Sequence, residues 1–208
     1  ELKNSINQLT NLSSEIISSF AEDRFGNIWA GCEKGILKYH IGDEIFQAES
    51  LQQFFTQYQK QVNTAIIESQ YGDMIMCSNN PYIICYHNNY SVKVSIRFSY
   101  HTGWSDTLRI SSVNQLRNGD YLFASNHGVI KVDRRKLEQS IDRSRIITVD
   151  AVNVLRKSLT PEFNPIAETD DGHLFIGTSN GLYEFFTKSM QVEKLNFSSK
   201  GEDLSQRI

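Results

Sequence analysis

Polar and apolar positions along the chain recur in blocks. Each block carries a turn residue and, nine positions later, a second one: Gly26 and Gly35, Gly72 and Pro81, Gly119 and Gly128, Gly172 and Gly181. The first members stand 46, 47 and 53 residues apart. Between the paired turns lies a short apolar run: Ile28–Ala30, Met74–Cys77, Tyr121–Ala124 and Leu174–Ile176. These runs are too short for buried helices and rich in residues that suit a pleated surface. Being near-continuous rather than alternating, they predict strands packed on both faces.

The flanks of each turn repeat as well. Phe20, Ile66, Val113 and Ile166 stand six residues before the first turn glycine, and Glu22, Glu68, Gln115 and Glu168 four before it. Asn118-Gly119 and Asp171-Gly172 supply the positive φ that tight turns require. A third strand is expected at Ile36–His40, Tyr82–His87, Val129–Asp133 and Leu182–Phe186. A fourth is expected at Ile45–Ala48, Val92–Phe98, Ile146–Val152 and Gln191–Leu195. The expected architecture is all-β: β-propeller blades, as four four-stranded antiparallel meanders over about 12–50, 61–99, 108–153 and 162–197. Leu204–Ile208 has the shape of Leu12–Ile16, so 198–208 reads as the start of a fifth blade and the chain as an excerpt of a larger propeller. Unmatched blades at the ends would then drive homo-oligomer formation.

Composition narrows the function classes. Across 208 residues the net charge is −3, which argues against a nucleic-acid footprint. The triplet Arg134-Arg135-Lys136 reads as a solvated turn. No apolar run approaches the roughly 18 residues of a membrane helix, so any membrane link would come through a parent chain. Cys32, Cys77 and Cys85 lack metal-ligand spacing and lie in apolar strands, where they read as small buried hydrophobes.

The stretch from Asn11 to Leu37 contains Glu22-Asp23, Gly26, Ile28-Trp29-Ala30-Gly31 and Gly35-Ile36. A second stretch, Ile166 to Leu182, contains Glu168, Gly172, Leu174-Phe175-Ile176-Gly177-Thr178 and Gly181-Leu182. Both resemble the two-component regulator propeller repeat. The middle blocks are degenerate, with Met76-Cys77-Ser78 and Phe123-Ala124-Ser125 where the repeat has Ile-Gly-Thr, and Pro81 where it has glycine. The resemblance implies a periplasmic sensor propeller of a hybrid two-component system histidine kinase, non-catalytic in itself, binding an oligosaccharide and needing no cofactor.

Candidate sites follow from the blade topology. Loops between second and third strands share one end of the propeller with the inter-blade connections, where small-molecule pockets form. Lys34, Asn79, Asn80, Asn126, His127, Ser179 and Asn180 fall there, joined by Tyr100, His101 and Trp104 from an inter-blade segment. Aromatic platforms beside amides and an imidazole suit sugar rings and hydroxyls. The Glu22, Glu68, Gln115, Glu168 series has two readings: a ring that holds a cation, or caps on the adjacent turns, which the constant spacing favours. Trp29 reads as core. No metal-ligating or nucleophile–base motif is present. The alternatives kept open are a propeller lyase or hydrolase with acid and base groups in the channel, and a pure protein-interaction scaffold.

Overall fold

A computed structural model describes residues 17–32, 35–42, 45–50, 63–87, 92–100, 103–104, 107–141, 146–149, 166–178, 180–186, 189 and 191–196. The first blade comprises β1 (Ile17–Glu22), β2 (Ile28–Cys32), β3 (Gly35–His40) and β4 (Ile45–Ser50), paired in chain order. The second comprises β5 (Asn63–Glu68), β6 (Met74–Ser78), β7 (Tyr82–His87) and β8 (Val92–Tyr100), and a short β9 (Gly103–Trp104) folds back on β8. The third comprises β10 (Ile110–Gln115), β11 (Tyr121–Ser125) and β12 (Gly128–Val132). After helix α1 (Arg134–Gln139) and β13 (Ile146–Val149), the fourth comprises β14 (Ile166–Glu168), β15 (Leu174–Thr178), β16 (Gly181–Phe186) and β17 (Gln191–Lys194). The fold is all-β and consists of propeller blades. Gly26, Gly72, Gly119 and Gly172 sit at the turns between first and second strands with φ of +82°, +90°, +90° and +87°, as their spacing predicts.

The blades stack in sequence order through three apolar layers. Trp29 and Ile36 of the first blade meet Ile66, Met74, Met76, Ile84 and Tyr86 of the second. The other side of the second blade, with Ile75, Ile83 and Phe98, meets Val113, Tyr121 and Phe123 of the third. Leu116, Leu122 and Val129 of the third meet Leu174, Ile176 and Phe185 of the fourth. Neighbouring residues of each strand point to opposite sides, which is why one strand serves two layers. Cys32, Cys77 and Cys85 are buried, and burial pushes the Cys77 thiol up.

Two sequence expectations need correction. The segment at Ile146–Val152, expected as the fourth strand of the third blade, instead contributes β13, which pairs in parallel with β8 (Ile147 opposite Phe98) at the edge of the second blade. Among the described residues the third sheet therefore has three strands. A parallel partner needs a crossover connection, and the third blade together with α1 spans it. The Arg134-Arg135-Lys136 turn is the start of that helix. Asp133 caps it by accepting from the Lys136 amide at 2.8 Å, Arg134 pairs with Glu138 one turn on at 2.7 Å, and Leu137 and Ile141 bury against the core shared by the second and third blades. An Asp cap followed by apolar residues at helical spacing was present in the sequence.

Candidate functional site

An antiparallel meander puts its first and third connections at one end of the sheet and its second connection at the other. The blades therefore offer a turn end, carrying Gly26, Gly72, Gly119 and Gly172, and a hairpin end, carrying the candidate ligand residues.

At the hairpin end, the third and fourth blades close their turns with a hydroxyl. Ser125 Oγ donates to the Gly128 carbonyl at 2.7 Å and accepts from the His127 amide at 3.2 Å. Thr178 Oγ1 donates to the Gly181 carbonyl at 2.9 Å and accepts from the Asn180 amide at 3.1 Å. Asn180 is exposed. Asn126 ties its hairpin to the segment entering β10. Its Oδ1 accepts from the Arg109 amide at 2.8 Å, its Nδ2 donates to the Thr107 carbonyl at 2.9 Å, and its own amide donates to the Arg109 carbonyl at 3.1 Å. His127 Nε2 lies 3.1 Å from Thr107 Oγ1. Asn126 and His127 are thus brought together, by bonds that hold the blade.

The second blade differs because Pro81 replaces glycine. Asn80 is fully buried, its amide donating to the Ser78 carbonyl at 2.6 Å and its Oδ1 accepting from the Tyr82 amide at 2.8 Å. Ser78 Oγ, Asn79 Oδ1 and Asn80 Nδ2 are buried without a hydrogen-bonding partner among the described residues. Leaving such a group unsatisfied costs about 1–3 kcal/mol, so three in a row call for a physical reason. Lys34, His101 and Ser179 lie outside the described residues. Tyr100 ends β8 and Trp104 lies in β9, so the backbone folds back between them (Tyr100 opposite Gly103), while their side chains lie outside the described residues.

At the turn end, neither reading of the Glu22, Glu68, Gln115, Glu168 series survives intact. The cap on three of the four turns comes from the next residue along. Asp23 Oδ1 accepts from the Phe25 and Asn27 amides at 3.0 and 2.9 Å. Ser69 Oγ accepts from the Tyr71 and Asp73 amides at 3.2 and 3.0 Å. Thr169 Oγ1 accepts from the His173 amide at 3.1 Å. Leu116 stands at this position in the third blade and is buried instead. The series itself reaches the preceding blade: Glu68 accepts from Arg24 Nε at 2.6 Å, Gln115 from the Gln70 amide at 2.6 Å, and Glu168 from the Arg117 amide at 3.0 Å. Gln115 also donates to the carbonyl of its own turn glycine, Gly119, at 3.2 Å. Arg24 further donates to the Ser69 carbonyl, and Arg117 pairs with Asp170 at 2.7 Å. Among the described residues, no three His, Cys, Asp or Glu side chains converge as a metal site.

These rungs border a cleft of ≈ 530 Å³ lined by Arg24, Glu68, Gln70, Asn114, Gln115 and Arg117. Its polar groups already serve the blade junctions. Sequence reasoning missed Asp23, Ser69 and Thr169 as caps, although short oxygen-bearing side chains three residues before a turn glycine are the signal.

Asp23 also organises the first blade. Burial pushes its carboxyl up, but hydrogen bonds from Trp29 Nε1 (2.8 Å), Asn27 and the turn amides outweigh that and hold it below the usual carboxylate value. Lys38 stands 3.8 Å from Asp23 and 4.6 Å from the centre of the Trp29 ring. Burial keeps its ammonium below the usual lysine value, against the pull of Asp23. A second titratable group lies in the fourth blade, where His173 contacts Glu184 and stands 3.6 Å from Asp171. Glu184 and Asp171 raise the imidazole, while the Thr169 hydroxyl and then His173 lower the Asp171 carboxyl. His173 and Asp171 are exposed rather than set in a cleft. The described residues include no helix long and apolar enough to cross a membrane.

Comparison with known proteins finds similarity at one repeat and across the fold. The two component regulator propeller model matches residues 11–34. No curated protein matches the sequence. The extracellular domain of BT4673 from B. thetaiotaomicron, described as a one component system, superposes with a TM-score of 0.69 at 16% identity, over 92% of this chain and 26% of that one. The extracellular domain of BT3049 from the same organism, described as a hybrid two component system, gives 0.58 at 18% identity, over 88% and 22%. Virginiamycin B lyase from Staphylococcus aureus gives 0.61 at 10% identity, over 88% and 56%. The chain thus spans about a quarter of the two extracellular domains and about half of the lyase. It is a stack of β-propeller blades whose first blade carries the two component regulator propeller repeat.

Proposed function

We propose that this chain is the sensor section of a two-component-type receptor: a non-catalytic propeller, displayed in the periplasm, that recognises an oligosaccharide. The observation that carries the reading is the regulator propeller match at residues 11–34, seated on the strand–turn–strand unit of the first blade. The hairpin end supports a polyhydroxyl ligand: it presents the exposed Asn180 and the half-buried Asn79, Asn126 and His127, amides and an imidazole that match sugar hydroxyls, which both donate and accept.

The test is a thermal-shift and calorimetric screen of the chain against a panel of defined oligosaccharides. A ligand that binds only the folded state raises Tm in a saturable way. The expected result is such a rise for one glycan class, lost in Asn79→Ala while the unliganded melt is unchanged. A well-folded protein with no response across the panel would refute oligosaccharide recognition. Glycan cleavage in the same incubations would refute the non-catalytic assignment.

A further inference from the structure

One strand leaves its own blade. β13 follows the third blade in the chain, yet it pairs in parallel with β8 of the second, Ile146 to Val149 opposite Arg97 to Tyr100. Among the described residues no other strand joins the sheet of a different blade. The first and second blades meet through a side-chain layer and the Arg24–Glu68 rung, and the third and fourth through a layer and the Arg117–Glu168 rung.

The path into β13 is fastened at both ends and in the middle. At the turn end, the Arg134 guanidinium lies 3.6 Å from the centre of the Tyr71 ring, a cation–π contact from the start of α1 to the turn of the second blade. Tyr71 in turn abuts the third blade, where a methyl group on Gly119 would meet its hydroxyl oxygen at 2.5 Å. In the middle, Leu137 and Ile141 enter the layer that holds Val94, Ile96 and Phe98 of the second blade with Phe123, Ile130 and Val132 of the third. Ser140 Oγ lies 2.8 Å from the Lys136 carbonyl oxygen and 3.0 Å from that of Ile146, which ties the end of the helix to the start of the strand. Toward the hairpin end, Ile147 is fully buried in the same layer, and Thr148 Oγ1 lies 3.3 Å from Ser99 Oγ.

We infer that α1 and β13 form a strap that locks the second and third blades into one body. Proteins open locally in cooperative units, and two elements held only by side chains can part as separate units. Here the same segment supplies a backbone ladder to the second blade and apolar side chains to the layer between the blades. Parting them breaks the ladder and exposes Leu137, Ile141 and Ile147 at once, so neither blade opens without the other. Asn79 stands on one of these blades and Asn126 and His127 on the other, so the lock also fixes the spacing of those hairpins.

Native-state hydrogen exchange of the 208-residue chain in low urea tests the lock. β7 and β11 are the reporters, because each lies between two paired strands of its own sheet. In the wild type their slowest amides should share one opening equilibrium. Leu137→Ala should split it, with protection in β11 falling about tenfold or more below that in β7. Ser99→Cys with Thr148→Cys places a disulfide between register partners. Its oxidised form should restore the shared opening in the Leu137→Ala background, and its reduced form should not. Ile147→Val is a milder cut that serves if Leu137→Ala does not fold, and it should split the two reporters by about threefold. Separate openings in the wild type, equal loss of protection in β7 and β11 on cutting the strap, or no rescue by the disulfide would each overturn the inference. Equal loss would mean that Leu137 adds only to overall stability.

Discussion

The second strand of each blade invites comparison between the central pair and the ends. In the first and fourth blades it reads Ile28-Trp29-Ala30-Gly31-Cys32 and Leu174-Phe175-Ile176-Gly177-Thr178, close to the family repeat. In the second and third it reads Met74-Ile75-Met76-Cys77-Ser78 and Tyr121-Leu122-Phe123-Ala124-Ser125, away from it. Yet all ten residues of the central strands are buried, while Phe175, Gly177 and Thr178 of the fourth blade are only half-buried. Where a strand has a blade on each side, unspecialised apolar side chains suffice. Cys77 then occupies space that glycine would leave, in the layer with Phe98 and Phe123. The first blade relies more on a polar device of its own: Asp23 gathers Trp29, Asn27 and two turn amides. Fidelity to the motif and contribution to the core are therefore separate properties.

The largest expected effect contrasts the core of the central pair with an end blade. Phe123 is fully buried and meets Phe98 edge-on at 5.1 Å. Phe123→Ala should cost about 3–5 kcal/mol in urea unfolding, and Phe175→Ala no more than about half as much. Equal losses would erase the distinction between centre and ends.

Trp29→Ala should fall toward the lower part of about 3–5 kcal/mol. The ring is 3% exposed and sits edge-on to Tyr86 of the second blade at 5.3 Å. A chemical melt within about 1 kcal/mol of wild type would show that the motif tryptophan is not a core residue.

Acid should test the polar device. In the folded state Asp23 is held below its ordinary pKa of 3.8, so its contribution is present above that value and is lost as pH falls through the folded one. Wild-type stability should drop more steeply below pH of about 4 than that of Asp23→Asn, which lacks this titration. Parallel acid profiles would mean that Asp23 adds nothing to the blade.

The smallest effect is at the rungs. Gln115→Ala removes the acceptor of the Gln70 amide and should cost about 1 kcal/mol, while Glu22→Ala, at an exposed position, should cost close to none. Equal melts for the two would mean that the rungs carry no stability.

The turn glycines, the nine-residue offset and the hairpins were legible because they are short-range: the positive φ at Gly119 and the closure of Ser125 on Gly128 depend on residues within one blade. Burial of Trp29 and the three cysteines was legible from near-continuous apolar runs. At the candidate site, the shared hairpin end could be read, but not that Asn126 would spend both ends of its side-chain amide on the segment entering β10. Nor could Pro81 reveal that Ser78, Asn79 and Asn80 would keep unpartnered polar atoms. The partner of β13 and the partners of Glu68, Gln115 and Glu168 were likewise decided by tertiary structure alone. A strand's unpaired edge bonds to whichever edge lies alongside it, and Ile147 finds Phe98 of the preceding blade. A carboxylate or amide at a strand end can cap its own turn or reach across a junction, and local spacing is identical in both cases. Only the stacking of blades brings Gln70 to Gln115 and Arg117 to Glu168, 45 and 51 residues apart in the chain.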